Sequence, residues 1–175
     1  MRLFIAIDLK ELKDYFKEIQ DQIPRDIAKL KPVNTFHLTL KFLGEVPDEK
    51  TEEIKEALAK IKFSQFKLTL DQLGVFPTEN YIRVVWIGLK GNSHLSKLQE
   101  DIEKVLDQFY FKKDYEFLPH LTLARVKFIS NKPEFIQKLK QIKIERKEIT
   151  INKFKLIKSE LTRQGPIYED LAIFP

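Results

Sequence analysis

Cysteine is absent from the 175 residues of this chain, and its absence removes several kinds of chemistry at once. Disulfide bonds, thiolate nucleophiles and cysteine-ligated zinc or iron–sulfur sites are excluded. Glycine is scarce, with five residues, and the sequence contains neither a Walker loop nor a Rossmann glycine motif. It also lacks the Gly-x-Ser-x-Gly elbow that carries the nucleophile of many serine hydrolases. Any catalysis must therefore use other groups.

Long apolar runs are missing as well. The longest, at residues 3–7 and 84–87, have the length of strands and fall far short of the roughly 20 residues that a membrane helix requires. Met1 leads into the first run without a small-residue cleavage site, so we expect no secretory signal and a cytoplasmic location. The formal net charge of +5 favours an anionic partner, because Lys and Arg attract phosphates.

The hydrophobic pattern predicts the same order of elements twice: strand, helix, strand, helix, strand. In the first half these are a strand at 2–9, a helix at 10–23, a loop around 24–34, a strand at 35–43, a helix at 49–61 and a strand at 66–76. In the second half they are a strand at 81–89, a turn at 91–93, helices at 95–109 and 133–142, and strands at 117–128, 147–159 and 168–174. This repetition predicts a duplicated fold.

We therefore expect an α+β fold with one bilobal domain over residues 1–175 and repeats at approximately 1–78 and 79–175. Two pseudo-symmetric lobes, each an antiparallel or mixed β-sheet with helices on its outer face, are predicted to lie around a central cleft. Ligands often bind between such halves.

The tetrad His-Leu-Thr-Leu occurs at residues 37–40 and again at residues 120–123. Side chains alternate between the two faces of a strand. His37, Thr39 and Lys41 are therefore predicted to face the cleft, whereas the leucines and Phe42 are predicted to face the core of the lobe.

The second tetrad follows the same alternation, with His120 and Thr122 facing the cleft. Arg125 would fall on the leucine side of an unbroken strand, so a bulge or a strand end must turn it toward the cleft. If the lobes are related by a twofold axis, both tetrads reach one space.

Two imidazoles in one site can supply an acid and a base near neutral pH, which displacement at phosphorus requires. His37 and His120 are the predicted catalytic residues. The hydroxyls of Thr39 and Thr122 can donate hydrogen bonds to phosphate oxygens, and Arg125 can add positive charge. No metal ion or other cofactor is required by this chemistry.

A zinc site is the competing interpretation of two histidines. The absence of cysteine, and of an acidic residue paired with either tetrad, counts against it. His94, the third histidine, lies where a helix begins and has no partner motif, so we expect it at the surface.

The residues around the tetrads resemble a known family. Four segments, MRLFIAI at 1–7, FHLTLKFLGE at 36–45, PHLTLAR at 119–125 and GPIY at 165–168, are similar to the RNA 2′,3′-cyclic phosphodiesterase branch of the 2H phosphoesterase superfamily, also called 2′-5′ RNA ligase. The resemblance implies two α+β lobes and hydrolysis of a nucleoside 2′,3′-cyclic phosphate to a 2′-phosphomonoester.

The resemblance also implies roles for single residues, with His37 as the proton donor and His120 as the acceptor. It places Thr39, Thr122 and Arg125 at substrate-binding positions. Considered by themselves, the two histidines of a pseudo-symmetric pair are interchangeable, and the reverse reaction exchanges their roles.

Two other functions remain open at this point. Ligation through a 2′-5′ bond uses the same chemistry with a ribose 5′-hydroxyl in place of water, and a non-catalytic nucleotide- or RNA-binding module would keep the fold without turnover. The expected partners are RNA ends or nucleoside 2′,3′-cyclic phosphates, with no membrane, and the expected state is a monomer. Lys41, Arg83 and Lys127 are candidates for guiding RNA toward the cleft.

Overall fold

Strands contain more of the residues than helices do in this protein, which is described by a computed structural model over residues 1–90, 93–113 and 116–175. The strands are β1 (Arg2–Asp8), β2 (Ala28–Pro32), β3 (His37–Glu45), β4 (Phe66–Thr78), β5 (Tyr81–Lys90), β6 (His120–Ile129), β7 (Glu148–Ile151), β8 (Phe154–Thr162) and β9 (Gly165–Phe174). The helices are α1 (Lys13–Gln22), α2 (Thr51–Leu58), α3 (Ser93–Leu106) and α4 (Lys132–Gln141). The predicted α+β class is confirmed.

One antiparallel sheet runs through both lobes in the order β7-β4-β5-β6-β3-β1-β8-β9, and β2 pairs with β6 off this path. The tetrad strands β3 and β6 lie side by side at its centre, where Leu38 and Leu121 are paired. One lobe therefore consists of β3, β1, β8 and β9, and the other of β6, β5, β4, β7 and β2. The cleft is formed where the two lobes meet.

Each half of the sequence contributes strands to the other lobe. Strand β4 leaves the N-terminal half to pair with β5, whereas β8 and β9 leave the C-terminal half to pair with β1 and with each other. Neither half of the sequence therefore makes a complete lobe. A boundary near residue 78 divides the sequence but not the sheet, and the repeat itself stays a prediction.

Two of the predicted elements were wrong. The segment assigned to a loop contains β2, a short edge strand whose apolar residues alternate with the exposed Lys29 and Lys31. Pro32 and Asn34 favoured a loop, but a proline is compatible with an edge strand. The long strand predicted at 147–159 is two strands that separate at Asn152, with β7 pairing with β4 and β8 with β1. Of the turn predicted at 91–93, residues 91 and 92 lie outside the described residues.

The leucines of both tetrads anchor the sheet to the helices. Leu38, Leu40, Leu121 and Leu123 are all at most 2% exposed. Helix α1 contacts β6, α3 contacts β3, α4 contacts β4, and α2 packs on α3. Each buried leucine contributes about 1.5–3 kcal/mol, so this face of the sheet is held firmly and the opposite face is left for the cleft.

None of the helices among the described residues is long and apolar enough to cross a membrane.

Candidate active site

The two tetrads come together because their strands are neighbours. Strands β3 and β6 run antiparallel through the Leu38–Leu121 pair, which sets His37 toward Thr122 and Thr39 toward His120. Directly opposite residues have Cβ atoms about 4.5–5.5 Å apart and diagonal ones about 7–8 Å apart. The register of the two strands therefore brings the two imidazoles and the two hydroxyls within two residues of one another across the pair.

A bulge in β6 brings Arg125 to the same side as Thr122. Thr122 pairs with Trp86 and Ala124 pairs with Val85, so Leu123 has no partner on β5. Leu123 and Ala124 are both buried, which shifts the alternation by one residue and leaves Arg125 exposed on the cleft side.

The same bulge occurs in β3 and overturns two predictions of side-chain direction. Thr39 pairs with Ala6 and Lys41 pairs with Ile5, so Leu40 is the unpaired residue. Lys41 is only 1% exposed and does not face the cleft, whereas Phe42 lies on the cleft side and is 63% exposed. To face the cleft, Arg125 requires a bulge in the second tetrad strand. The same bulge in the equivalent strand β3 would have predicted the observed directions of Lys41 and Phe42.

Lys41 therefore does not guide RNA. Its Nζ donates hydrogen bonds to Glu103 Oε1 and to the Lys112 carbonyl oxygen, both at 2.7 Å. The other two basic residues predicted to guide RNA, Arg83 and Lys127, are exposed but do not line the cavity of the cleft.

The cleft contains a cavity of about 430 Å³. Its lining includes four of the five predicted site residues, namely His37, Thr39, Thr122 and Arg125. His120 is not among the residues that line this cavity. The third histidine, His94, is exposed, as expected.

Two aromatic rings of the lobe that contains β3 pack against His37. The imidazole makes edge-to-face contacts with Phe4 and Tyr168, with ring centroids 5.5 Å and 5.0 Å apart. Burial beneath these rings lowers the pKa of His37, because the charged imidazolium loses solvent. The carboxylates of Asp8 and Asp170 oppose this effect and the ammonium of Lys155 adds to it.

Asp8, Lys155 and Asp170 form a charged network beside His37. Asp8 is the cross-strand partner of His37, and Lys155 Nζ donates to Asp8 Oδ2 at 3.0 Å and to Asp170 Oδ2 at 2.6 Å. Burial alone would raise the pKa of Asp8, but the hydrogen bonds from Lys155 and from the Lys10 backbone N–H lower it below its usual value.

Lys155 completes this network as an ammonium. Burial alone would lower the pKa of Lys155, but its hydrogen bonds to Asp170 and Asp8 raise it above the usual value. With one ammonium and two carboxylates, the network carries one net negative charge next to His37.

His120 is held by a different set of contacts. Its Nδ1 lies 2.8 Å from the Leu118 carbonyl oxygen, and because a carbonyl only accepts, Nδ1 carries the proton in this hydrogen bond. In the neutral ring Nε2 is then an acceptor. The imidazole packs edge-to-face on Phe76, with ring centroids 4.8 Å apart, and its centroid lies 6.0 Å from that of Trp86.

The two histidines therefore differ most in what lies opposite them on the neighbouring strand. Asp8 of β1 faces His37, whereas Gly88 of β5 faces His120. Sequence reasoning missed Asp8, Lys155 and Asp170, because the network depends on β8 lying beside β1.

Comparison with known proteins places this geometry in a family context. The family described as LigT-like phosphoesterase matches residues 7–86 and, a second time, residues 87–168. The RNA 2′,3′-cyclic phosphodiesterase of Methanocaldococcus jannaschii is 41% identical over 171 residues, which cover 97% of both chains. That of Archaeoglobus fulgidus is 36% identical over 178 residues, which cover 99% of each.

Solved structures agree with these sequence matches. A crystal structure of a Thermus thermophilus protein matches with a TM-score of 0.83 and 29% identity, covering 99% of this chain and 97% of the other. Escherichia coli LigT complexed with 3′-AMP matches with a TM-score of 0.77 and 27% identity, covering 99% and 96%.

Proposed function

This chain belongs to the LigT-like phosphoesterase family, and we propose that it hydrolyses the 2′,3′-cyclic phosphate of RNA ends or nucleosides to a 2′-phosphomonoester. The observation that carries the proposal is the meeting of both His-x-Thr pairs on the cleft side of one sheet. A phosphate placed between them has an imidazole available for the entering oxygen and another for the leaving oxygen.

In the proposed reaction, water attacks the phosphorus of the cyclic phosphate while His120 Nε2 accepts its proton. The bond from phosphorus to the 3′-oxygen breaks, and that oxygen takes a proton from His37. The hydroxyls of Thr39 and Thr122 donate to the non-bridging oxygens, and the guanidinium of Arg125 balances the charge that develops there. No cofactor enters these steps.

Contacts of the two rings support this assignment of roles. The hydrogen bond from His120 Nδ1 to the Leu118 carbonyl leaves Nε2 as the acceptor in the neutral ring. His37 instead faces Asp8 within a network of net negative charge, which offsets part of the lowering of its pKa by burial and so supports the imidazolium that donates the proton. A neutral base and a protonated acid are the pair that hydrolysis requires.

The test is hydrolysis of a nucleoside 2′,3′-cyclic phosphate in EDTA, with the 2′- and 3′-monophosphates separated by chromatography. We expect the 2′-product, and we expect H37A and H120A each to lower kcat by about 10²–10⁴-fold. H94A is the matched control, since His94 is exposed and stacks on Phe66. Full activity in H37A or H120A, or release of the 3′-product, would contradict the mechanism.

A parallel reaction supplies RNA with a cyclic-phosphate end together with RNA bearing a 5′-hydroxyl. Joined strands would indicate 2′-5′ ligation, and bound substrate without any product would indicate a binding module. We expect hydrolysis, because both titratable histidines are held in place by the contacts described above.

We also propose that the protein acts as a monomer in the cytoplasm. One polypeptide supplies both tetrads and every predicted contact with the phosphate, so no second copy is needed to complete the site. Light scattering during size-exclusion chromatography is expected to give the mass of a single 20.8 kDa chain, and a larger mass would contradict the monomer.

A further inference from the structure

The cavity extends past the tetrads into a region whose charged side chains are all positive. Arg2, Lys31 and Arg125 line it, and none of the lining residues among the described parts of the chain is an Asp or a Glu. The whole chain has 31 basic and 26 acidic residues, so an unbiased surface of this size would carry both signs. Like charges in a concave site focus the field on an anion.

Two of these cations have no protein partner among the described residues. Neither Arg2 nor Arg125 makes a side-chain hydrogen bond or ion pair there, in contrast to the buried lysines Lys41 and Lys155. Lys31 Nζ donates one hydrogen bond, of 2.9 Å, to the Gln164 carbonyl oxygen. An ammonium has three donors, so two N–H groups remain for a ligand.

The three cations come from different parts of the fold. Arg125 follows the second tetrad, and Lys31 of β2 is its cross-strand partner. Arg2 begins β1 in the other lobe, and the Lys31–Gln164 contact joins β2 to the turn between β8 and β9. The cations thus stand on both walls of the cavity.

The reacting phosphate does not account for all of this charge. The tetrads and Arg125 already supply two hydroxyls, two imidazoles and one guanidinium for it. The cavity of about 430 Å³ has the size of sites that take whole small-molecule ligands, and the exposed ring of Phe42 gives its lining an apolar face. Cations combined with an aromatic face are typical of sites for single-stranded nucleic acid.

We propose that Arg2 and Lys31 form a second phosphate subsite, which binds the phosphodiester on the 5′ side of the terminal nucleotide. This inference rests on the proposed function and narrows its substrate to the end of an RNA strand, in preference to a free nucleoside cyclic phosphate. The terminal nucleotide lies between the subsite and the tetrads, and the subsite takes no part in the chemical step.

The test compares three substrates that end in the same cyclic phosphate: the mononucleotide, the dinucleotide, and the dinucleotide with a neutral methylphosphonate in place of its phosphodiester. Wild-type kcat/KM is expected to be about ten-fold higher for the charged dinucleotide than for the other two, as one charge-assisted hydrogen bond provides. R2Q and K31Q are each expected to remove most of this preference and to leave mononucleotide hydrolysis unchanged.

Matched controls lie close by in the fold. Lys29 is exposed on the same strand as Lys31 and does not line the cavity, and Arg25 is an exposed arginine paired with Asp21. K29Q and R25Q are expected to keep the wild-type preference for the charged dinucleotide.

Three outcomes would overturn the subsite: equal wild-type rates on the charged dinucleotide and the mononucleotide, equal rates on the charged and neutral dinucleotides, or an equal loss on every substrate in R2Q and K31Q. In each of these outcomes hydrolysis is still observed, so the proposed function stands. Failure of the wild-type protein to hydrolyse any of the three substrates would instead contradict the proposed function.

Discussion

Replacing Asp8 with Asn should lower the pKa of His37 further below its ordinary value. The carboxylate of Asp8 faces His37 across β1 and β3, and its negative charge raises the pKa of that imidazole. Asn keeps the size of the side chain, and its single oxygen can accept one of the two hydrogen bonds that Lys155 and the Lys10 backbone N–H donate to separate oxygens of Asp8. The change therefore removes the negative charge and one hydrogen bond.

The size of the shift follows from the geometry of neighbouring strands. Cross-strand Cβ atoms lie about 5 Å apart, which puts the carboxylate and the imidazolium about 6 Å apart. Two unit charges at about 6 Å interact by roughly 3 kcal/mol at an effective dielectric constant of about 20, or about two pKa units. Lys155 cancels part of this field, so we expect the pKa of His37 to fall by about one unit.

Titration of the imidazole ring signals by NMR measures this shift directly. The opposite substitution, Lys155→Met, removes a positive charge and is expected to raise the pKa of His37. Asp26→Asn is the matched control, because the Asp26 carboxylate is exposed and pairs with Lys138. An unchanged or raised pKa of His37 in D8N would refute the electrostatic account.

The same variant tests the role of His37. If His37 is the acid, only its protonated fraction is active, so above its pKa a drop of one unit should lower kcat/KM about ten-fold. If His37 is the base, kcat/KM at that pH should not fall. We expect the ten-fold fall, and its absence in a variant whose pKa has moved would reverse the two roles.

Three further substitutions test the surroundings of the site. Lys41→Met leaves Glu103 inside the fold without its cation and should lower the free energy of unfolding by about 3 kcal/mol in urea titrations, with part of the loss recovered by adding E103Q. Gly74→Ala puts a Cβ 2.2 Å from Cζ2 of Trp86, so we expect a loss of about 1–3 kcal/mol in stability and lower activity because the ring contacts His120. Thr39→Val should leave the melting temperature close to that of the wild type and lower kcat by about 10²-fold, and unchanged steady-state kinetics would remove Thr39 from the phosphate site.

The local parts of the fold were predictable because they depend on spacing along the chain. Helical and strand periods located the main elements, and the repeated tetrad selected His37 and His120 as candidates, which the structure places on neighbouring strands. Strand β2 was missed although its residues alternate, because it is only five residues long and Pro32 was taken as the mark of a loop. A charged edge strand is recognised by its pairing partner, which the local pattern does not contain.

The remaining errors arose from long-range pairing. A bulge shifts the alternation of side chains by one residue, and the hydrophobic pattern of the sequence does not reveal where it occurs. The bulge in β3 therefore reversed the predicted directions of Lys41 and Phe42. The Asp8–Lys155 contact joins residues 147 positions apart. It exists only because β8, from the C-terminal half of the sequence, lies beside β1.

The two lobes differ at several equivalent positions near the tetrads, and the proposed mechanism depends on these differences. The shared bulges put Phe42 and Arg125 at equivalent places of β3 and β6, yet one is an aromatic ring and the other a cation. Asp8 and Gly88 also occupy equivalent places, because they pair with His37 and His120 respectively.

A perfectly symmetric site would give both imidazoles one environment and hence one protonation preference. In the proposed mechanism, the carboxylate that lies opposite His37 alone distinguishes the donor from the acceptor in two identical tetrads. Placing a carboxylate opposite His120 as well, by Gly88→Asp, should therefore reduce the rate of hydrolysis, because the added negative charge would favour the imidazolium of His120, which cannot accept a proton from water. Retention of the wild-type rate and pH profile in a folded G88D protein would show that the difference between the lobes does not set the roles.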